Sequence, residues 1–187
     1  MGRRYALAHD LPLVTSFHTV FPAYCRHYHV PALEGAVWRW LLWFHGPARI
    51  VQTPGAAVRD RLVDRGLRQT LLWGRGVDTQ LFNPGLRDRS LRRRLGAADE
   101  QALVLHVGRL APEKNLEVLV DAFAQAHDAL GMRARFVVAG EGPKSRAVAR
   151  QLPWAHHIGF LEQRRLAALY ASCDACVLPS YTETCGL

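Results

Sequence analysis

The chain has 187 residues, enough for one sizeable domain or one domain with part of another. Its 49% hydrophobic and 21% charged residues are the mix of a folded globular chain and exclude a disordered one. The net charge of +8 suits an anionic partner, but the basic residues are dispersed and are not interleaved with stacking aromatics in any nucleic-acid-binding module, so no nucleic acid partner is expected.

In chain order, Met1 to Tyr5 carries a basic pair but no apolar stretch of the kind a signal peptide has. No apolar run reaches the roughly 18 residues a membrane span needs. With no export signal, the cysteines are expected to be reduced, in a cytoplasmic setting. Residue 1 is read as lying just before a strand in the middle of a domain. Pro12 to Phe17 reads as that strand, buried, and Phe21 to His45 as a helical stretch interrupted near Pro31. Arg49 to Gln52 is a second strand. Pro54 to Arg65 is a helix opened by Thr53 and Pro54 and ended by Gly66, and Gln69 to Leu72 is a third strand. Turn formers then dominate residues 74–85.

Beyond that stretch the alternation becomes regular. Arg87, Arg89, Arg92, Arg93 and Arg94 cluster on a short helix that reads as a solvated face. Ala102 to Val107 is a continuous apolar run, the mark of a strand covered on both sides. Leu116, Leu119, Val120 and Phe123 follow at helical spacing. Strands at Arg135 to Ala139, His157 to Ile158 and Ala175 to Leu178 alternate with helices at Lys144 to Gln151 and Glu162 to Ala171. The pattern predicts an α/β fold with a doubly wound parallel sheet. Cys173-x-x-Cys176 has no second pair at metal spacing, so no metal site is expected.

In such a sheet, ligands bind outside the carboxyl ends of the strands. The first exit is Gly108-Arg109, with Lys114 at the start of the next helix. The second is Gly140-Glu141-Gly142-Pro143, the third Gly159-Phe160, and the fourth Pro179-Ser180-Tyr181-Thr182-Glu183. Glycine just past a strand lets backbone approach a ligand. Arg109 offers a planar fork of donors and Lys114 a mobile charge near a helix N-terminus, a pair suited to a diphosphate. A carboxylate such as Glu183 suits sugar hydroxyls instead. The competing assignment has Arg109 and Lys114 in surface ion pairs with Glu113 or Glu117. A nicotinamide-binding fingerprint would need Gly-x-Gly-x-x-Gly after the first strand, which Gly108-Arg109-Leu110-Ala111 does not provide.

Val107-Gly108-Arg109-Leu110-Ala111-Pro112-Glu113-Lys114-Asn115 resembles the donor-phosphate signature of family 4 glycosyltransferases. Val138-Ala139-Gly140-Glu141-Gly142-Pro143 and Val177-Leu178-Pro179-Ser180-x-x-Glu183-Thr184-x-Gly186-Leu187 resemble the next two landmarks, in order. Ser16-Phe17-His18-Thr19, Trp43-Phe44-His45 and Trp73-Gly74-Arg75-Gly76-Val77-Asp78 are similar to the branch holding GDP-mannose-dependent mannosyltransferases and sulfoquinovosyltransferase-like enzymes. The resemblance covers nearly the whole chain. It implies the GT-B architecture of two Rossmann-like domains, both partial here. An acceptor-side domain is expected over residues 1–78, a linker over 79–85 and a donor-nucleotide domain over 86–187.

The activity implied is retaining transfer of a hexose, mannose foremost, from a nucleoside-diphosphate sugar to a lipid or glycan acceptor. The catalytic set implied is His18, Arg109, Lys114 and Glu183, with His18 near the anomeric carbon and no cofactor or metal required. Donor contacts are implied for Gly108, Arg109, Lys114, Gly140, Gly142, Gly159, Phe160, Glu183, Thr184, Gly186 and Leu187. Family members carry a second glutamate eight residues after the first and an opening strand with a glycine-rich loop. Neither lies within residues 1–187, so the chain is expected to be incomplete at both ends and inactive alone. The alternative is a truncated, non-catalytic fragment that binds nucleotide sugar. Trp38, Trp40, Trp43 and Phe44 beside Arg39 suit peripheral contact with an anionic membrane at its inner face; the competing assignment puts these aromatics in the core.

Overall fold

The computed structural model describes residues 2–74 and 76–180. These residues fall into two compact units that meet in sequence between Gly76 and Val77. Among them, no helix is long and apolar enough to cross a membrane.

The first unit is built on three short parallel strands, β1 (Val14–Ser16), β2 (Ile50–Thr53) and β3 (Thr70–Leu72), in the order β1-β2-β3. Val51 in the central strand is fully buried, while Val14 and Leu71 on the outer strands are exposed. The expected buried strand at Pro12 to Phe17 is therefore shorter and half-open. Phe17, just past it, carries the burial and packs with Val20, Trp38, Leu41, Val58 and Leu62. The helical stretch divides into α2 (Phe21–His27) and α3 (Glu34–His45), separated by a 3-10 turn at Pro31–Leu33. A helix α1 (Gly2–Ala8) precedes β1 where no helix was expected. Its seven residues have no apolar period; Ala6 is buried, the tilted Tyr5 and His9 rings lie 4.3 Å apart, and Arg3 lies 3.9 Å over the Trp43 ring. Helix α4 (Ala56–Asp64) begins after Gly55, not at Thr53, because Thr53 ends β2 and its hydroxyl donates to the Leu71 carbonyl. Gly66 at φ +96° ends this helix.

The second unit is a four-stranded parallel sheet of β4 (Ala102–Val107), β5 (Ala134–Ala139), β6 (His156–Gly159) and β7 (Ala175–Cys176). Its order is β6-β5-β4-β7. Chain direction across the sheet thus reverses between β4 and β7, the switch point of a doubly wound fold. The apolar runs alternate faces as their burial requires. Phe136 and Val138 pack with Leu116, Leu119, Val120 and Phe123 of α6 (Leu116–Leu130), and with Val148 of α7 (Ser145–Gln151). Leu103, Leu105 and Val137 pack on the opposite face with Leu169 of α8 (Gln163–Ser172). Leu119 is fully buried, worth about 2 kcal/mol of transfer free energy.

Residues 79–85 also pack on this unit, with Phe82 edge-on to Tyr170 at 6.3 Å. The arginine cluster on α5 (Arg89–Arg94) is not simply a solvated face. Arg92 is buried and donates to the Ser172 and Gln101 carbonyls and, at 2.8 Å, to Asp174. Arg87 holds the other Asp174 oxygen at 2.7 Å, and the Leu103 N–H donates to the carboxylate. Partial burial would raise the Asp174 pKa, but the Arg87 bond, the Leu103 N–H and the Arg92 bond and charge together hold it at about 2.

Candidate functional site

The carboxyl edge of the second sheet gathers the sequence-predicted residues of strands β4 to β6. The first two exits are zipped together by backbone: Gly108 N–H donates to Ala139, Leu110 N–H to Glu141, and Lys144 N–H to Leu110, all within 2.9–3.0 Å. Gly140 N–H in turn donates to Gly159 at 2.7 Å, joining the third exit. These contacts explain the glycines differently from the sequence reading. A Cβ on Gly140 would sit 1.9 Å from the Gly108 oxygen, and one on Gly142 would sit 2.3 Å from the Leu110 oxygen. Gly140 and Gly142 therefore let one loop press on the next. Gly140 and Gly159 also hold φ of +128° and +67°, values that favour glycine. Gly108 would accept a Cβ in ordinary contact with His106. Glu141 is a further tie that sequence reasoning missed, its carboxylate accepting the Phe160 N–H at 3.4 Å. Phe160 itself is 75% exposed on this edge.

Arg109 leaves the first exit with its side chain 64% exposed, its Nη1 3.9 Å from a buried Glu113 carboxylate. The ion pair weighed from sequence thus exists, at the outer limit of contact, and it leaves the guanidinium facing solvent. Lys114 closes the 3-10 turn Pro112–Lys114, directly before α6. Asn115 then adopts the left-handed conformation at φ +54°. Asparagine is a strong helix cap, yet its side chain makes no capping bond to α6. It donates instead to the Pro179 carbonyl at 3.1 Å.

His106 makes a parallel connection. It is buried in β4, and its Nδ1 lies 2.9 Å from the Val177 carbonyl. A carbonyl only accepts, so Nδ1 carries the proton, while the buried Nε2 has no hydrogen-bond partner. Burial first, and the Lys114 charge second, lower its pKa against the raising effect of the Val177 bond. The imidazole is therefore neutral near pH 7. Sequence reasoning gave neither residue a role; the signals were a polar side chain inside an apolar strand run and an asparagine just ahead of a helix.

His18 lies two residues beyond β1 in the first unit, half-buried, with its ring 6.0 Å from that of Trp73. Glu183, Thr184, Gly186 and Leu187 lie outside the described residues. Cys173 ends α8, and burial pushes its thiol up to about 12, a poor state for a metal ligand.

Comparison with known proteins adds to this geometry. The sequence pattern described as "Glycosyl transferases group 1" matches residues 88–187, just over half of the chain. The chain belongs to the group 1 glycosyl transferases. Residues 1–81 of this group 1 chain match a second pattern, "Glycosyltransferase Family 4". The chain is 34% identical to sulfoquinovosyl transferase SQD2 of Arabidopsis thaliana, over 95% of its own length and 35% of the relative's. It is 31% identical to a GDP-mannose-dependent alpha-mannosyltransferase of Corynebacterium glutamicum, over 93% of its own length and 41% of the relative's. The chain thus spans about two-fifths of the length of these curated relatives. Among solved structures, HepE of Anabaena in complex with UDP-glucose superposes with a TM-score of 0.73 at 22% identity, over 94% of this chain and 48% of that one. The fold of this group 1 glycosyl transferase is GT-B, as in its structural neighbours.

Proposed function

We propose that this chain carries the donor-diphosphate site of a retaining hexosyltransferase that uses a nucleoside-diphosphate sugar, with mannose as the transferred hexose. The supporting observation is the placement of Arg109 and Lys114 at the switch point of the second sheet, with α6 opening beside them. The names of the mannosyltransferase relatives support the sugar.

As proposed, Arg109 and Lys114 neutralise the departing diphosphate, whose charge grows as the glycosidic bond breaks. The reaction so written calls for no metal ion. The acceptor hydroxyl attacks on the leaving-group face and gives its proton to a phosphate oxygen, so no covalent nucleophile is needed. As the resemblance implies, Glu183 is assigned to the transferred sugar and His18 to the anomeric carbon. Gly108, Gly140, Gly142, Gly159 and Phe160 form the surrounding edge. Thermal-shift measurements with GDP-mannose, UDP-glucose and NAD test the reading. Stabilisation by GDP-mannose, lost in Arg109→Ala/Lys114→Ala, is expected; stabilisation by NAD alone would overturn it.

A lipid or glycan acceptor reached from the inner face of the membrane belongs to the same proposal. Helix α3 turns Trp38 and Leu41 into the core but leaves Trp40 and Trp43 about half exposed. Arg3 sits on Trp43 and Trp40 stacks on Phe44. Such an aromatic and cationic surface suits an anionic headgroup layer. Co-sedimentation with phosphatidylglycerol vesicles is expected, and equal binding to neutral phosphatidylcholine vesicles would refute the electrostatic part.

A further inference from the structure

The switch point is where a doubly wound sheet parts, and the two strands beside it leave in opposite directions around the fold. In this chain the exits of β4 and β7 are held to each other by two side chains. His106, in β4, binds the Val177 carbonyl at 2.9 Å, and Asn115, ahead of α6, binds the Pro179 carbonyl at 3.1 Å. The two bonds grip alternate residues of one strand exit from the two ends of the Gly108–Lys114 segment. The β4–β7 ladder itself is short. Its paired residues are Val104 with Ala175 and Leu105 with Cys176, and the last backbone bond runs from Val177 N–H to Leu105. Beyond that bond, these two side chains hold Val177 and Pro179 against the first exit.

Both side chains forgo an ordinary bond to do this. Asn115 occupies the cap position of α6 and makes no capping bond. His106 spends its one N–H on Val177 and leaves a buried Nε2 unpaired, an arrangement that costs free energy. A plain apolar residue would fill the same place in the strand without that cost. Asn115 also satisfies two demands at once. Glycine would accept φ +54° as readily but has no amide, and alanine has neither property.

We propose that His106 and Asn115 are positioning residues: together they fix the Val177–Pro179 exit against Gly108–Lys114. They thereby set where the Ser180-x-x-Glu183 segment starts relative to Arg109 and Lys114. This rests on the reading of that edge as the donor site, with the cations on the diphosphate and the last exit on the sugar. The two halves of the donor are then registered by the clamp rather than by either exit alone.

Three variants separate the roles. Asn115→Gly keeps the left-handed backbone and removes the amide. Asn115→Asp keeps a similar shape but sets an acceptor against the Pro179 carbonyl. His106→Phe keeps the ring volume and removes the N–H. The first measurement needs no ligand: amide hydrogen exchange on the 187-residue chain. Exchange across Leu178 and Ser180 is expected to rise about tenfold in Asn115→Gly and His106→Phe, with β5 unchanged, as local opening after loss of one bond implies. Unchanged exchange in both variants overturns the clamp.

The second measurement compares affinities for GDP and GDP-mannose. The clamp predicts that Asn115→Gly binds GDP within about twofold of the parent and GDP-mannose about tenfold more weakly, with Asn115→Asp weaker still. Equal losses for both ligands would show a merely structural role and sink the positioning claim. If the parent chain binds neither ligand, the donor-site reading fails, while the exchange result still decides whether the two side chains hold the exit.

Discussion

Replacing Asp174 by asparagine isolates the ion network that pins the start of β7. Asp174 accepts from Arg87, Arg92 and the Leu103 N–H, and these partners hold its pKa at about 2 against an ordinary 3.8. A difference of about 1.8 units corresponds to at most about 2.4 kcal/mol of folding free energy at neutral pH. The carboxylate side chain is 34% exposed, so solvent screening reduces this to about 1.5 kcal/mol. Because the folded-state pKa is the lower one, this stability is fully present well above pH 3.8 and is lost as pH falls through about 2. Urea unfolding of the parent and Asp174→Asn at pH 7 should therefore differ by about 1.5 kcal/mol. At pH 3 the difference should shrink to about half, since the unfolded chain has already taken most of its proton. A difference that stays constant between pH 7 and pH 3 would show that shape, not charge, makes Asp174 matter. No difference at either pH would refute the network as a source of stability.

Other substitutions probe the rest of the molecule. Gly140→Ala places a Cβ 1.9 Å from a backbone oxygen at φ +128° and should cost at least about 3 kcal/mol by calorimetry. Gly108→Ala meets only an ordinary contact with His106 and should cost less than about 1 kcal/mol. His45 is buried against the Thr15 hydroxyl at 2.8 Å, and burial lowers its pKa below 6.5. Its stabilising effect is thus present above pH 6.5 and lost as pH falls through the folded-state value, so the urea midpoint should drop from pH 7 to pH 5, less steeply in His45→Phe. Arg109→Ala/Lys114→Ala should weaken GDP binding by about 10- to 100-fold and flatten its salt dependence, measured by isothermal titration.

The strand-helix alternation of the second unit was legible because both faces of its sheet are covered. Apolar runs such as Ala102 to Val107 and the helical spacing of Leu116 to Phe123 leave little choice of structure. The first unit was less legible. Helix α1 has no apolar face to betray it, and Thr53 resembles a cap although a neighbouring strand takes its hydroxyl. At the site, the exits and their cations could be placed from spacing alone. What Gly140 and Gly142 avoid could not, because the atom in the way belongs to a loop some 30 residues distant. The same holds for Arg92, which sits in a run of arginines and takes its Ser172 and Asp174 partners from some 80 residues onward.

The position of the crevice beside β4 and β7 also bears on when it comes into being. His106 and Val177 lie 71 residues apart, whereas β5 pairs with β4 over less than half that span. Closing the longer loop costs only about 0.7 kcal/mol more in chain entropy, but it requires the intervening helices and strands to be in place. The β4–β7 edge is therefore expected to form after β4 and β5 have paired, which pulsed hydrogen exchange during refolding would check. A ligand held there does not merely steady a loop: it draws on the folding equilibrium of the whole unit, and occupancy at a hundred times its dissociation constant would add about 2.7 kcal/mol to it.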